Sequence, residues 1–290
     1  MFKLFNNTSL YISGLELSKA SFKRKHTIKD THLSLRCICL VGPGLFIMGS
    51  FYSTKLALFD TSEMTHVSHL DLQQGEGPVD VCLIPGDKVA VTCEWSNRIV
   101  IVSVKNNQLH REHEIRIECQ PFCITSYKDD LFVVASNVIP YEASISRVTL
   151  TGDRHVVCDL PIWFMWDVTW RYSMTTSKES EPKIYVTHCY KRDVLEVSLD
   201  GSTLRSISIS HTEGDIRIMT VVSVGENTLC LFSAENKLIL ADIKSEKTSV
   251  IMKQKKEHRW HMHRPSVCPV TKTLLIWDYV KHKIKMFKWK

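Results

Sequence analysis

The chain has 290 residues, room for one large domain or two small ones. With 44% hydrophobic and 23% charged residues and only 11 Gly and 9 Pro, it is neither a disordered chain nor a collagen or low-complexity linker. It contains no run of 18 apolar residues, the length a transmembrane helix needs, and residues 1–10 lack the apolar stretch of a secretory signal. A cytoplasmic address and no membrane partner are therefore expected.

The net charge of +6 is unevenly spread. Residues 244–290 hold 13 Lys/Arg against Glu246, Glu257 and Asp278, a local +10, so residues 1–243 sum to −4. Residues 1–29 carry Lys3, Lys19, Lys23, Arg24, Lys25 and Lys29 against Glu16 alone. A fold that joins the two ends has a positive side, suited to phosphate or to an acidic protein. The ten cysteines form no Cys-x2-Cys pair, and most sit in apolar runs such as Val81-Cys82-Leu83 and Leu229-Cys230-Leu231. They read as small core hydrophobes in a reducing compartment, with neither disulfide nor structural zinc.

Repeats set the architecture. Residues 21–29 form a basic strand-like segment. Then a unit recurs: a short strand, a second strand, a polar loop of about four residues, and a third strand often opening with Lys or Arg. The loop-bearing pairs occupy residues 45–60, 88–104, 131–150, 183–199, 228–243 and 273–289. Equivalent strands begin near Phe46, Val89, Phe132, Ile184, Leu229 and Leu274, at spacings of 43, 43, 52, 45 and 45. The long spacing holds residues 172–182, read as an inserted polar surface loop. The preceding strands are residues 35–41, 78–85, 121–127, 165–171, 217–224 and 266–270. The first five units end in a more polar strand, such as residues 109–118 or 204–210. Four strands in 40–45 residues is the signature of a propeller blade. The sixth unit runs out after three strands, and residues 21–29 can supply the fourth. The expectation is an all-β, six-bladed β-propeller over residues 21–290, closed by an N-terminal strand. Residues 1–20 read as a linker remnant.

The blade pattern resembles the NHL-type six-bladed propellers at the C-terminus of invertebrate tripartite-motif proteins. The residues that carry the likeness are Pro78-Val-Asp-Val-Cys82, Lys88-Val-Ala-Val-Thr-Cys93, Asn97-Arg-Ile-Val-Ile-Val102, Asp130-Leu-Phe-Val-Val134 and Trp166-Asp-Val168. RING, B-box and coiled-coil segments are not found in this chain, so the family's ligase chemistry is not carried over. The resemblance implies the recognition half: binding a protein target or, alternatively, RNA.

An enzyme is the third reading. A metal-dependent propeller hydrolase needs carboxylates and amides converging on the central channel, and Asp80, Glu94, Asn137, Asp167 and Asp215 are the candidates. Asp80 and Asp167 occupy the same repeat position, which points to an architectural role. No nucleophile-elbow, Walker or zincin motif is present. The chain is therefore expected not to be an enzyme and to need no cofactor.

A binding face follows from blade geometry, because the loop between second and third strands lies at the same end as the connection between blades. The second-strand loops bring Tyr52, Trp95 with Arg98, Tyr141, Tyr190 with Lys191 and Arg192, and Tyr279 with Lys281. The last between-blade connection brings Arg259, Trp260, His261, His263 and Arg264. Aromatics beside cations suit a peptide hot spot, or single-stranded RNA whose bases stack while phosphates meet cations. His258, His261 and His263 lack a further nearby metal ligand and read as a solvated basic loop. The expected partner is a protein or peptide, or else single-stranded RNA, bound by a monomer.

Overall fold

The structure is a computed structural model and describes residues 22–29, 35–42, 44–50, 53–63, 65–136, 143–161, 172–177, 179–188, 191–209, 217–225, 227–233, 235, 237–253, 266–268, 273–278 and 283–289. The expected linker over residues 1–20 lies outside them. The described regular elements are all strands. β1 (Phe22–Lys29) is followed by β2 (Leu35–Gly42), β3 (Leu45–Ser50), β4 (Lys55–Asp60) and β5 (His66–Asp71) of a first blade. The second blade is β6 (Gly77–Ile84), β7 (Lys88–Glu94), β8 (Arg98–Lys105) and β9 (Gln108–Arg116); the third is β10 (Gln120–Tyr127), β11 (Asp130–Ser136), β12 (Ala143–Thr149) and β13 (Arg154–Asp159). Next come β14 (Tyr172–Thr176), β15 (Lys183–His188), β16 (Asp193–Ser198) and β17 (Leu204–Ser208), then β18 (Ile218–Gly225), β19 (Thr228–Ser233), β20 (Lys237–Asp242) and β21 (Lys247–Lys253). The last strands are β22 (Ser266–Cys268), β23 (Thr273–Asp278) and β24 (Lys283–Trp289).

Five sheets are blades of four consecutive antiparallel strands, where six repeats were expected; the remaining sheet is composite, in the order β1-β24-β23-β22. The described blades fall into two compact units, β2–β13 in one and β14–β24 with most of β1 in the other.

Residues 172–182, expected as an inserted loop, are corrected in part: Tyr172–Thr176 is the first strand of the fourth blade, with Tyr172 paired to His188 and Met174 to Val186. Tyr172 and Met174 are buried, whereas Ser173, Thr175 and Thr176 give the segment its loop-like composition. The earlier candidate for that strand, residues 165–171, lies outside the described residues.

Blades stack face to face, so their middle strands are buried on both sides and read as continuous apolar runs. The alternation persists as a division of neighbours. Val89, Val91 and Cys93 of β7, with Val100 and Val102 of β8, pack toward Ile47, Leu56 and Leu58 of the first blade. The intervening Ala90, Ile99 and Ile101 pack toward Ile124, Leu131 and Val133 of the third. In the other unit, Leu229 and Leu231 of β19 meet Tyr185 and Val194, while Cys230 and Phe232 meet Leu274 and Ile276. Each such Val, Leu or Ile contributes roughly 1.5–3 kcal/mol by leaving water. The fourth strands are more polar: β9 buries Leu109 and Ile115 but exposes Gln108, His110, Glu112, His113 and Arg116 to varying degrees.

The close packing needs a glycine at one point. A Cβ on Gly49 would lie 2.6 Å from Pro78 Cγ and 2.7 Å from Cys37 Sγ. Blades are also clipped by polar groups on their first strands. Ile124 N donates to Asp80 Oδ2 at 3.2 Å, and Val221 N donates to Ser173 Oγ at 3.3 Å. Turns between third and fourth strands are closed by aspartates: Asp60, Asp200 and Asp242 accept from the amides of Ser62, Ser202 and Ser245.

Candidate functional site

In the first unit, the β3–β4, β5–β6, β7–β8 and β9–β10 connections gather at one end. Leu72 N donates to Thr54 O at 2.7 Å, and Ile117 N donates to Asn97 O at 2.9 Å. The β7–β8 turn, residues 94–97, is tight because the ladder closes at Cys93 and Arg98. To reverse in four residues it holds Trp95 at φ 59° and Asn97 at φ 49°. Asparagine tolerates this left-handed backbone; a bulky indole residue rarely adopts it. Trp95 is also 72% exposed. The turn thus holds an aromatic ring in solvent at a conformational cost, a combination found where strain is kept for binding.

Arg98, which closes this turn, belongs to an ion-pair cluster. Glu76, at the end of the β5–β6 connection, is 1% exposed. Arg111 of β9 donates to it twice, Nη1 to Oε2 at 2.8 Å and Nη2 to Oε1 at 3.2 Å. Gln73 N donates to Oε2 at 2.8 Å. Arg98 Nη1 reaches Glu76 Oε1 at 3.4 Å, Glu114 Oε2 at 2.9 Å and Gln73 Oε1 at 3.2 Å. Arg111 Nη2 also donates to Glu114 Oε2 at 2.7 Å. Burial raises the Glu76 pKa, but the Arg111 hydrogen bond, the Gln73 amide and the charges of Arg111 and Arg98 outweigh it, so the carboxyl is held below its ordinary value. The cluster ties the β5–β6 connection to β8 and β9, and Arg98 spends its charge inside it.

Of the expected site residues, Trp95 and Arg98 share this turn in the first unit. Lys191 and Arg192 share the β15–β16 turn in the second, where Lys191 N donates to His188 O at 2.8 Å and Ile218 N donates to Lys191 O at 3.1 Å. Arg192 is exposed and Lys191 half-buried. Tyr52, Tyr141, Tyr190, Arg259, Trp260, His261, His263, Arg264, Tyr279 and Lys281 lie outside the described residues. Glu76, Arg111 and Glu114 were not singled out from sequence. The available signal was a lone carboxylate in a between-blade connection facing a strand of alternating charge.

The hydrolase candidates fare differently. Asp80 is the interblade clip described above, with its Oδ1 accepting from Val81 N at 3.0 Å. Asn137, Asp167 and Asp215 lie outside the described residues. Among the described residues no group of three or more His, Cys, Asp or Glu is placed to hold a metal, and no helix is long and apolar enough to cross a membrane.

Four-stranded antiparallel sheets stacked through their first strands define the class: an all-β propeller. No protein-family model matches the chain, and no curated protein matches it. Solved structures do. A catalytically inactive virginiamycin B lyase from Staphylococcus aureus, with quinupristin, aligns at a TM-score of 0.63 and 13% identity over 90% of this chain and 82% of its own. The selenomethionine-substituted lyase from the same organism aligns at 0.61 and 10% identity, over 92% and 99%. At this identity the likeness shows the fold alone. It corrects the expectation that the chain is not an enzyme: the matched propellers belong to a lyase, so neither the fold nor the missing motifs weigh against catalysis.

Proposed function

We propose that this chain is a recognition propeller that binds a peptide segment of a protein partner at the end carrying Trp95, as the substrate-binding half of a tripartite-motif protein would. The observation that supports it is the exposed indole on left-handed backbone, in the turn that Arg98 of the Glu76–Arg111–Arg98–Glu114 cluster closes. Trp and Arg on a rigid base are the residues that dominate peptide hot spots. A phosphate-binding role for Arg98 is disfavoured, because its guanidinium already meets two carboxylates. We further propose that β1, as outer strand of the composite sheet, closes a six-bladed NHL-like ring, and that the protein acts as a cytoplasmic monomer, in keeping with the mostly buried thiols among the described residues.

The test is crosslinking in cells with the wild type and with Trp95→Ala, followed by identification of both proteins and RNA. Protein partners lost in the variant support the reading. Recovery of RNA in their place, or the same partners at the same yield with Trp95→Ala, overturns it.

A further inference from the structure

Cations of the first four blades meet acids of the same blade or, for Arg111, of the connection that leads into it. Lys55 meets Asp71, Lys105 meets Glu112, Arg111 meets Glu76, Arg147 meets Asp130, and Lys183 and Arg205 share Glu196. The composite sheet differs in the sequence of its strands. β1 holds Lys23, Arg24, Lys25 and Lys29, and β24 holds Lys283, Lys285 and Lys288, with no acid in either strand. The sole carboxylate of the sheet is Asp278, at the end of β23. Seven cations against one acid leave the sheet at +6, the net charge of the whole chain.

The sheet order makes β1 the edge strand, and among the described residues no strand lies on its other side. It is eight residues long, so the edge opposite β24 runs about 26 Å at the usual strand rise. An edge of this length offers unpaired backbone donors and acceptors to another strand. Its sequence, four cations and no acid, selects which strand. A second β1 would bring like charges opposite one another, whereas an acidic strand would bring carboxylates to cross-strand distance, roughly 5 Å.

We propose that an extended acidic segment of a partner protein adds to β1 as a further strand of the composite sheet. The site is independent of Trp95 and stands whether or not the Trp95 reading does. It uses the backbone edge and the charge together; a nucleic acid would use the charge alone. A lipid surface would need apolar anchors, yet Ile284 and Met286 of β24 are already buried.

The experiment uses the full chain and two fluorescein-labelled ten-residue peptides, one alternating Glu with Val, the other Glu with Pro. They carry equal charge, but proline cannot donate to a ladder. The expected result is binding of the Glu-Val peptide, at least ten-fold weaker binding of the Glu-Pro peptide, and slowed amide exchange in residues 22–29 on binding. Lys23→Gln with Lys25→Gln should weaken the Glu-Val peptide several-fold, with melting unchanged, while Trp95→Ala leaves it unaltered. Equal binding of the two peptides, or binding without protection of residues 22–29, overturns the proposal. So does binding of poly-uridine or of phosphatidylserine vesicles that the Glu-Val peptide fails to displace, or failure of that peptide to bind.

Discussion

Asp80 and Ile124 join two blades through one hydrogen bond, 3.2 Å from the Ile124 amide to Asp80 Oδ2. Nothing in regular sheet pairing requires it, because β6 and β10 belong to different sheets. Asp80→Ala leaves the half-buried Ile124 amide without this acceptor, which costs about 1–3 kcal/mol. The melting temperature should fall by several degrees in calorimetry, and added Ca²⁺ should shift wild type and variant alike. An unchanged melt, or stabilisation by Ca²⁺ in the wild type alone, would count against the clip.

Trp95 should show stability and binding moving in opposite directions. Replacing it with glycine removes the left-handed strain, worth roughly 1–2 kcal/mol. Trp95→Gly is expected to melt a few degrees higher than wild type while losing at least ten-fold in affinity for whatever partner crosslinking identifies. A lower melt would mean that the indole packs on the cluster and stabilises it.

Glu76 links the face to pH. Its folded pKa is depressed, so its stabilisation is fully present above the ordinary value of 4.5 and is lost as pH falls through the lower folded value. Denaturant titrations between pH 6 and pH 3 should show wild type losing stability in that acid window. Glu76→Gln should start less stable at pH 6, since Arg111 and Arg98 lose a carboxylate, and should change less on acidification. Parallel curves for the two proteins would refute the assignment.

How much of this was legible in the sequence depended on range. Strands such as residues 88–94 and 98–105 announced themselves, because a middle strand buried on both faces is apolar throughout. The architectural role of Asp80 was readable from its recurrence before Val. The strand at Tyr172–Thr176 was hidden by Ser173, Thr175 and Thr176. The pairing of Arg111 with Glu76 spans 35 residues and three connections, so no local pattern could reveal it. The identity of Trp95 marked it as a candidate, but its left-handed backbone follows from a four-residue reversal between two registers that only the fold fixes.

Gly49 should be the least replaceable glycine among those with described surroundings. A methyl there meets the Pro78 ring and the Cys37 sulfur below 3 Å, and a proline ring on a strand has little room to retreat. Gly49→Ala is expected to cost about 1–3 kcal/mol, as overpacking generally does. A neutral result in urea denaturation would show that β3 and β6 can separate without loss.

The thiols give a further check. Burial raises the Cys82 thiol well above its ordinary value, pushes Cys230 to about 12 and, with the nearby Asp159 charge, Cys158 to about 11. These three thiols hold few thiolates at neutral pH, so their native-state alkylation at pH 8 should be slow. Among the eight described cysteines, Cys39 and Cys158 are part-exposed and should react before the six buried ones. Reductant and chelator should leave the melting curve in place.

The neighbours β1 and β24 also set a timetable. β1 emerges from the ribosome before the other described strands, but its partner strand follows only after all of residues 30–282. At roughly 5–20 residues per second this is a wait of about 10–50 s. Earlier blades can stack on one another as they appear, each from strands contiguous in the chain. The basic segment must stay apart from them throughout, and its dense positive charge keeps it solvated and out of the growing apolar stacks until its own sheet exists.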